Sequence, residues 1–186
     1  IGIGLGEIAQ KQSTRKVSVY SKTTLTSKSS TGCPSWPNGC QVAEIEIDPE
    51  TGFTSPKRHT VFQDAGRAIS PDYVEGQMQG GAVQGIGWAL NEEYIYDDEA
   101  HLQNCGFLDY RMPVASDVPM IDTVIIEVPN PNHPYGVRGV GEPPLVSAPA
   151  AVANAVENAI GITMSDLPLS PPKILAAIHE KSANEE

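Results

Sequence analysis

The stretch "PDYVEGQMQGGAVQGIGWALNEEY", residues 71–94, sets Val74, Met78, Ala82 and Ile86 four apart, the spacing of one apolar helix face. The same stretch holds five glycines, Gly76, Gly80, Gly81, Gly85 and Gly87. Each costs a helix up to about 1 kcal/mol relative to alanine. A chain keeps such a helix where something approaches its backbone closely. The preceding residues have a different period. "CQVAEIEIDPETG" (40–52) alternates Val42, Glu44 and Glu46 with Ala43, Ile45 and Ile47 and ends in turn residues, so it predicts a strand entering a hairpin. "KRHTVFQDAG" (57–66) predicts the second strand, with Gln63 and Asp64 at its end. Downstream, "DTVIIEVPN" (122–130) predicts a short buried strand. "SAPAAVANAVENAIG" (147–161) predicts a helix with Ser147 as N-cap, Pro149 in the first turn and Gly161 past the end. "SPPKILAAIHE" (170–180) repeats that design with Ser170 as cap. A period that switches between 2 and 3.6 along one chain predicts a mixed α/β, or α+β, fold.

At 186 residues and 40% apolar composition the chain is long enough for a sizeable core. Residues 1–36 read as a partly irregular N-terminal segment, with 22–39 linker-like, and 37–186 as a domain ending in a frayed acidic tail. Twelve Lys and Arg against 23 Asp and Glu leave a net charge of -11, which excludes a phosphate-backbone partner. Cys33, Cys40 and Cys105 form no CxxC pair and are expected to be buried free thiols. No apolar run approaches the ~20 residues of a spanning helix. The opening "IGIGLGEIAQ" lacks the basic start of a signal peptide, so a cytoplasmic location is expected if residue 1 is the true start. The chain begins without Met and midway through a helix-like pattern, so it reads as a piece of a longer one.

"VRGVGEPPLV" (137–146) strands one acid, Glu142, between glycines and a proline pair, a few residues before the helix expected from Ser147. Gly139 and Gly141 permit backbone conformations other residues avoid, and Pro143 and Pro144 fix φ just downstream. The carboxylate is thereby held rigidly, as a general base would be mounted. An acid near a helix N-terminus also favours the helix dipole, and spacing alone does not separate the two readings. Gln77, likewise, reads from spacing alone as an ordinary helix-surface glutamine.

"HPYGVRGVGEPPLVSAPAAVANAVENAIG" (133–161), together with "VFQDAGRAISPDYVEGQMQGGAVQGIG" (61–87), resembles the C-terminal part of the molybdopterin-binding large subunit of the molybdenum hydroxylases, the xanthine dehydrogenase and aldehyde oxidase family. The likeness runs from about Pro37 to Ile178. It implies that Glu142 is the catalytic glutamate, which takes a proton from a molybdenum-bound hydroxyl or water so that this oxygen can attack an electron-poor carbon. It implies that Gln77 lies beside the cofactor, with Gly76, Gly80, Gly81 and Gly141 letting backbone and cofactor come close.

The same resemblance implies a molybdenum held by the dithiolene of a pterin, in the cytosine dinucleotide form, with no protein side chain ligating the metal. It further implies partner chains: the rest of the molybdenum subunit, an iron-sulfur subunit carrying 2Fe-2S centres and an FAD subunit. The implied substrate is a small molecule, an aldehyde, purine or N-heterocycle, oxidised with water as oxygen source. His133 and Tyr135 are weaker candidates for a substrate funnel, and Arg138 for pairing with Glu142 or an anionic cofactor group. Asp64, Gly66 and Arg67 read as a strand-end turn, Tyr110 and Arg111 as the start of a structural wall, and "YDDEAHLQN" (96–104) as a solvated hairpin. Two other readings stand beside the enzyme: a non-catalytic structural or assembly module derived from the family, and a small-molecule binding module built on the Gly-rich helix.

Overall fold

The computed structural model describes residues 36–185. Strands β1 (Gly39–Ile47), β2 (Thr54–Asp64) and β3 (Ile121–Ile126) form one sheet in the order β1-β2-β3. Helix α1 (Pro71–Leu90) links β2 to β3, followed by α2 (Pro143–Ile160) and α3 (Pro171–Glu185). β1 and β2 pair antiparallel through the expected hairpin, whose turn is tied by Gly52 N donating to Asp48 O and Thr51 Oγ1 to Asp48 Oδ2. β2 and β3 run parallel, which requires a crossover, and α1 lies in it. The fold is mixed α/β, as the alternating periods predict.

β2 starts earlier than the sequence suggests and includes Pro56. A proline in a central strand is tolerated at a bulge, and the register shifts between Glu44 and Ile45, where Arg58 and then Pro56 are the partners. β3 is buried on alternate residues rather than throughout: Val124 and Ile126 are exposed, whereas Ile121 joins the core. The thiol expectation is also corrected, because Cys40 and Cys105 are free but exposed; Cys33 and the linker at 22–35 lie outside the described residues.

α1 and α2 pack on one another, and the core closes where they meet β2: Val61, Met78, Ala82, Ile86, Val152 and Val156, with Leu169 and Ile174 from the α3 end. Val74, Met78, Ala82 and Ile86 are all buried, as their spacing predicts. The glycines of α1 divide by function. A Cβ on Gly81 would lie 2.9 Å from Pro144 Cβ, and one on Gly85 2.5 Å from Ala148 Cβ and 2.9 Å from Leu145 O. Leu145 O, which finds no N–H at Pro149 to bond along the helix, faces Gly85, where the missing side chain leaves it room. Two of the costly glycines therefore serve helix contact. A Cβ on Gly76 or Gly80 would meet no described atom within 4 Å outside the neighbouring helix backbone.

Candidate functional site

α2 begins four residues before the expected cap. Pro143 and Pro144 occupy its first positions, where a missing N–H costs nothing, and Glu142 is the N-cap residue, with Leu145 N and Val146 N donating to its carbonyl. Pro149 thus falls inside the helix, and Ser147 is not the cap. Gly161 ends α2 in the left-handed conformation, φ 70°, as expected. Glu142 stands on the helix start itself rather than on a loop ahead of it. Its side chain makes no capping hydrogen bond, and among the described residues its exposed carboxylate has no hydrogen bond or ion pair.

The strap leading to Glu142 is stitched to the end of β2. Gln63, 1% exposed, donates from Nε2 to Gly139 O at 2.9 Å, and Arg138 N donates to Ala65 O at 3.0 Å. Arg67 N and Asn130 N both donate to Gly136 O. Gly66, at φ +69°, leaves space that a side chain would fill, since its Cβ would stand 2.3 Å from Gly136 O. Among the described glycines of the strap only Gly136 has a positive φ, 71°, so Gly139 and Gly141 are not required for an unusual backbone conformation. Gly141 lies close against α1: a Cβ there would lie 3.1 Å from Gln77 Nε2, and its carbonyl oxygen 3.2 Å from a Cβ on Gly81. Glu142, Gly141, Gly81 and Gln77 are brought together in this way from two elements far apart in sequence.

Arg138 does not pair with Glu142. Its Nε lies 2.9 Å from Asp64 Oδ2, and the two side chains are only 13% and 9% exposed. Asp64 Oδ1 also accepts from Gly66 N and Val128 N, and Arg138 donates to Trp36 O and Val128 O. The pair locks the strap to β2, the shaping role expected of Asp64 and Gly66. His133 and Tyr135 are exposed on the turn before the strap, with Tyr135 N donating to His133 Nδ1. Tyr110 is half buried and donates to Glu92 Oε2 at 2.8 Å, and that carboxylate pushes its phenol up to about 12. Phe107 and Leu108, beside it, are 96% and 98% exposed. In the 96–104 hairpin, Tyr96 bridges Leu102, and Asp97 accepts from Glu99 N, His101 N and Gln103 Nε2.

One network here has no sequence signal. His59 and Gln41 sit on β2 and β1, and the His59 ring nitrogen Nε2 bonds Gln41 Oε1. Gln41 Nε2 donates to Pro144 O and, at 2.8 Å, to Ser147 Oγ. An isolated Gln in an alternating strand reads only as one of its inward positions.

The residues suit an organic, hydrogen-bonding cofactor better than a metal held by side chains. Gln77 presents a free amide beside Gly141, Gly76 and Gly80 leave the α1 backbone open, and Gln63 Oε1 is a buried acceptor without a partner. Among the described residues, the one cluster of His, Cys, Asp and Glu close enough to share an ion is Asp97, Glu99 and His101, on the 96–104 hairpin. No described helix is long and apolar enough to cross a membrane.

Comparison with known proteins fits this geometry. Residues 3–119 match the family described as molybdopterin cofactor-binding domain. Over 150 residues the chain is 41% identical to the nicotine 6-hydroxylase large subunit of Paenarthrobacter nicotinovorans, covering 79% of this chain and 18% of that protein. It is 35% identical to the xanthine dehydrogenase molybdenum-binding subunit of Escherichia coli O157:H7, covering 82% of this chain and 20% of that one. The crystal structure of quinoline 2-oxidoreductase from Pseudomonas putida 86 superposes with a TM-score of 0.69 at 39% identity, covering 73% of this chain and 18% of that one. The chain thus spans about a fifth or less of the length of these relatives. With a family match over most of its length and relatives that are molybdenum hydroxylase large subunits, the chain belongs to the molybdopterin cofactor-binding domain family of the xanthine dehydrogenase and aldehyde oxidoreductase type.

Proposed function

We propose that this chain is the C-terminal piece of a molybdenum hydroxylase that oxidatively hydroxylates a small aldehyde, purine or N-heterocycle with water as oxygen source, and that Glu142 is its general base. The observation that carries this reading is the carboxylate at the start of α2, unused by the helix it caps and next in sequence to the Gly141 that faces Gln77. A base must be ionised, positioned and free to accept a proton. The proline pair positions Glu142, and no described group occupies its carboxylate.

Gln77 holds the cofactor edge with its amide, Gly76 and Gly80 admit it to the α1 backbone, and Gly81 and Gly141 set the separation between α1 and the strap. When bound, the molybdenum-pterin group, in its cytosine dinucleotide form, supplies the two-electron redox chemistry that no side chain of this chain can provide. Glu142 would accept the proton of the oxygen that attacks the substrate, and Gln77 would hydrogen-bond the bound cofactor. The remaining molybdenum-subunit chain completes the pocket, and iron-sulfur (2Fe-2S) and FAD subunits carry the electrons away, in a cytoplasmic complex.

The two relatives that are named as large or molybdenum-binding subunits support a multi-subunit setting. The alternative, a non-catalytic assembly module, leaves the Glu142 carboxylate only its charge–dipole contact with the start of α2. The test is cofactor analysis of the chain purified with everything that accompanies it. Stoichiometric molybdenum, a cytosine-bearing pterin, and iron-sulfur and flavin chains are expected. A folded complex of the same chains without molybdenum or pterin would refute the reading.

A further inference from the structure

Pro143 and Pro144 leave the first two positions of α2 no N–H for a side chain to cap, and Glu142 makes no side-chain cap. The first turn of the helix is held from the sheet instead. Gln41 Nε2 donates one hydrogen to Pro144 O and the other to Ser147 Oγ, while Gln41 Oε1 accepts from His59. Every hydrogen-bonding group of that amide is used. With both donors committed to oxygen acceptors, the amide can take only one orientation, which requires the proton of neutral His59 to sit on Nε2. His59 is 1% exposed and its Nδ1 has no partner among the described residues, so burial favours that neutral form.

Pro144 lies two residues beyond Glu142, and the intervening dihedrals are restricted by the Pro143–Pro144 rings. Fixing the Pro144 carbonyl therefore fixes the segment from which the carboxylate projects. We propose that Gln41, oriented by His59, is a positioning residue for Glu142: it clamps the first turn of α2 from the sheet, so that the helix start stays ordered while the Glu142 carboxylate is left free for chemistry. This rests on the reading of Glu142 as base. Gln41 touches neither substrate nor cofactor in this account, and it acts only through the helix start.

The test uses the assembled, molybdenum-loaded enzyme, with Gln41→Met and Ser147→Ala each made in the native and the Glu142→Gln backgrounds. Gln41→Met keeps the side-chain volume and removes both donors. In the native background it should lower kcat about ten- to hundredfold, the usual consequence of displacing a catalytic group by about an ångström. KM should move less than about threefold, and molybdenum content should not change. In the Glu142→Gln background it should add less than about twofold, because a group that acts only through Glu142 has nothing left to position. The same factor in both backgrounds would show a general structural role and overturn the inference, as would turnover within about twofold of the native enzyme.

If Gln41→Met does not assemble, Ser147→Ala decides: a loss of about three- to tenfold that disappears in the Glu142→Gln background supports the clamp, and no loss overturns it. Failure of the base reading looks different. There Glu142→Gln alone would keep its turnover, whereas loss in Glu142→Gln without loss in either clamp variant removes only the present inference.

Discussion

The side-chain nitrogen of Gln77 stands 3.1 Å from where a Cβ on Gly141 would lie, closer than ordinary van der Waals contact, so the middle of α1 and the residue before Glu142 are close neighbours. Gly141→Ala fills that gap. The atom it meets is the end of an exposed, flexible side chain, so Gln77 can move aside and stability should change by no more than about 0.5 kcal/mol. The displaced amide should nonetheless alter the spectrum of the loaded molybdenum centre and reduce turnover. An unchanged spectrum and unchanged turnover would mean that Gln77 is an ordinary surface glutamine.

The glycines of α1 should respond with opposite signs. A methyl on Gly80 would meet no described atom within 4 Å beyond its own helix backbone, so Gly80→Ala should stabilise the fold by about 0.5–1 kcal/mol through helix propensity. It should also lower molybdenum occupancy if the cofactor approaches there. At Gly85 the new methyl would meet Ala148 Cβ at 2.5 Å and Leu145 O at 2.9 Å, neither of which can swing away. Overpacking of about 1–3 kcal/mol then exceeds the propensity gain, and Gly85→Ala should destabilise. Denaturant unfolding of the two variants checks both signs.

Those opposite signs show what the sequence makes legible. The four-residue spacing of Val74, Met78, Ala82 and Ile86 and the alternation through β1 are local, and both elements are read directly from it. The start of α2 is not, because prolines before a helix look the same as prolines inside its first turn, and only the hydrogen bonds to the Glu142 carbonyl separate them. The Asp64–Arg138 pair and the Gln41–His59–Ser147 network join residues distant in sequence, so no period or spacing reports them. Cys40 and Cys105 show the converse: residue type suggested burial, and strand face and loop position decided otherwise.

Arg138→Leu should be severely destabilising. It would leave the Asp64 carboxylate buried without its cation, and breaking such a pair costs about 3–5 kcal/mol. The Asp64→Asn, Arg138→Leu double variant should recover part of that loss, because the uncompensated charge is removed. A double variant no more stable than Arg138→Leu would show that the ion pair is not the source.

Burial holds the His59 imidazole below its ordinary value of 6.5. The unfolded chain therefore binds this proton more readily than the folded one, so the stability His59 contributes is complete above about pH 6.5 and is lost as pH falls below it. Each tenfold weakening of proton affinity corresponds to about 1.4 kcal/mol, or about 3–6 °C in unfolding midpoint for a chain of this size. Thermal unfolding between pH 8 and pH 5 should show a steeper acid loss for the native chain than for His59→Phe. Equal slopes would assign the acid sensitivity to other groups.

Turnover of Glu142→Gln in the assembled enzyme, measured beside its molybdenum content, decides whether Glu142 is the base. The amide keeps the shape of the α2 start and removes only the ability to take a proton. Turnover should fall by about 10²- to 10⁴-fold with molybdenum content unchanged. Full molybdenum loading with turnover within about tenfold of the native enzyme would contradict the assignment of Glu142 as the base.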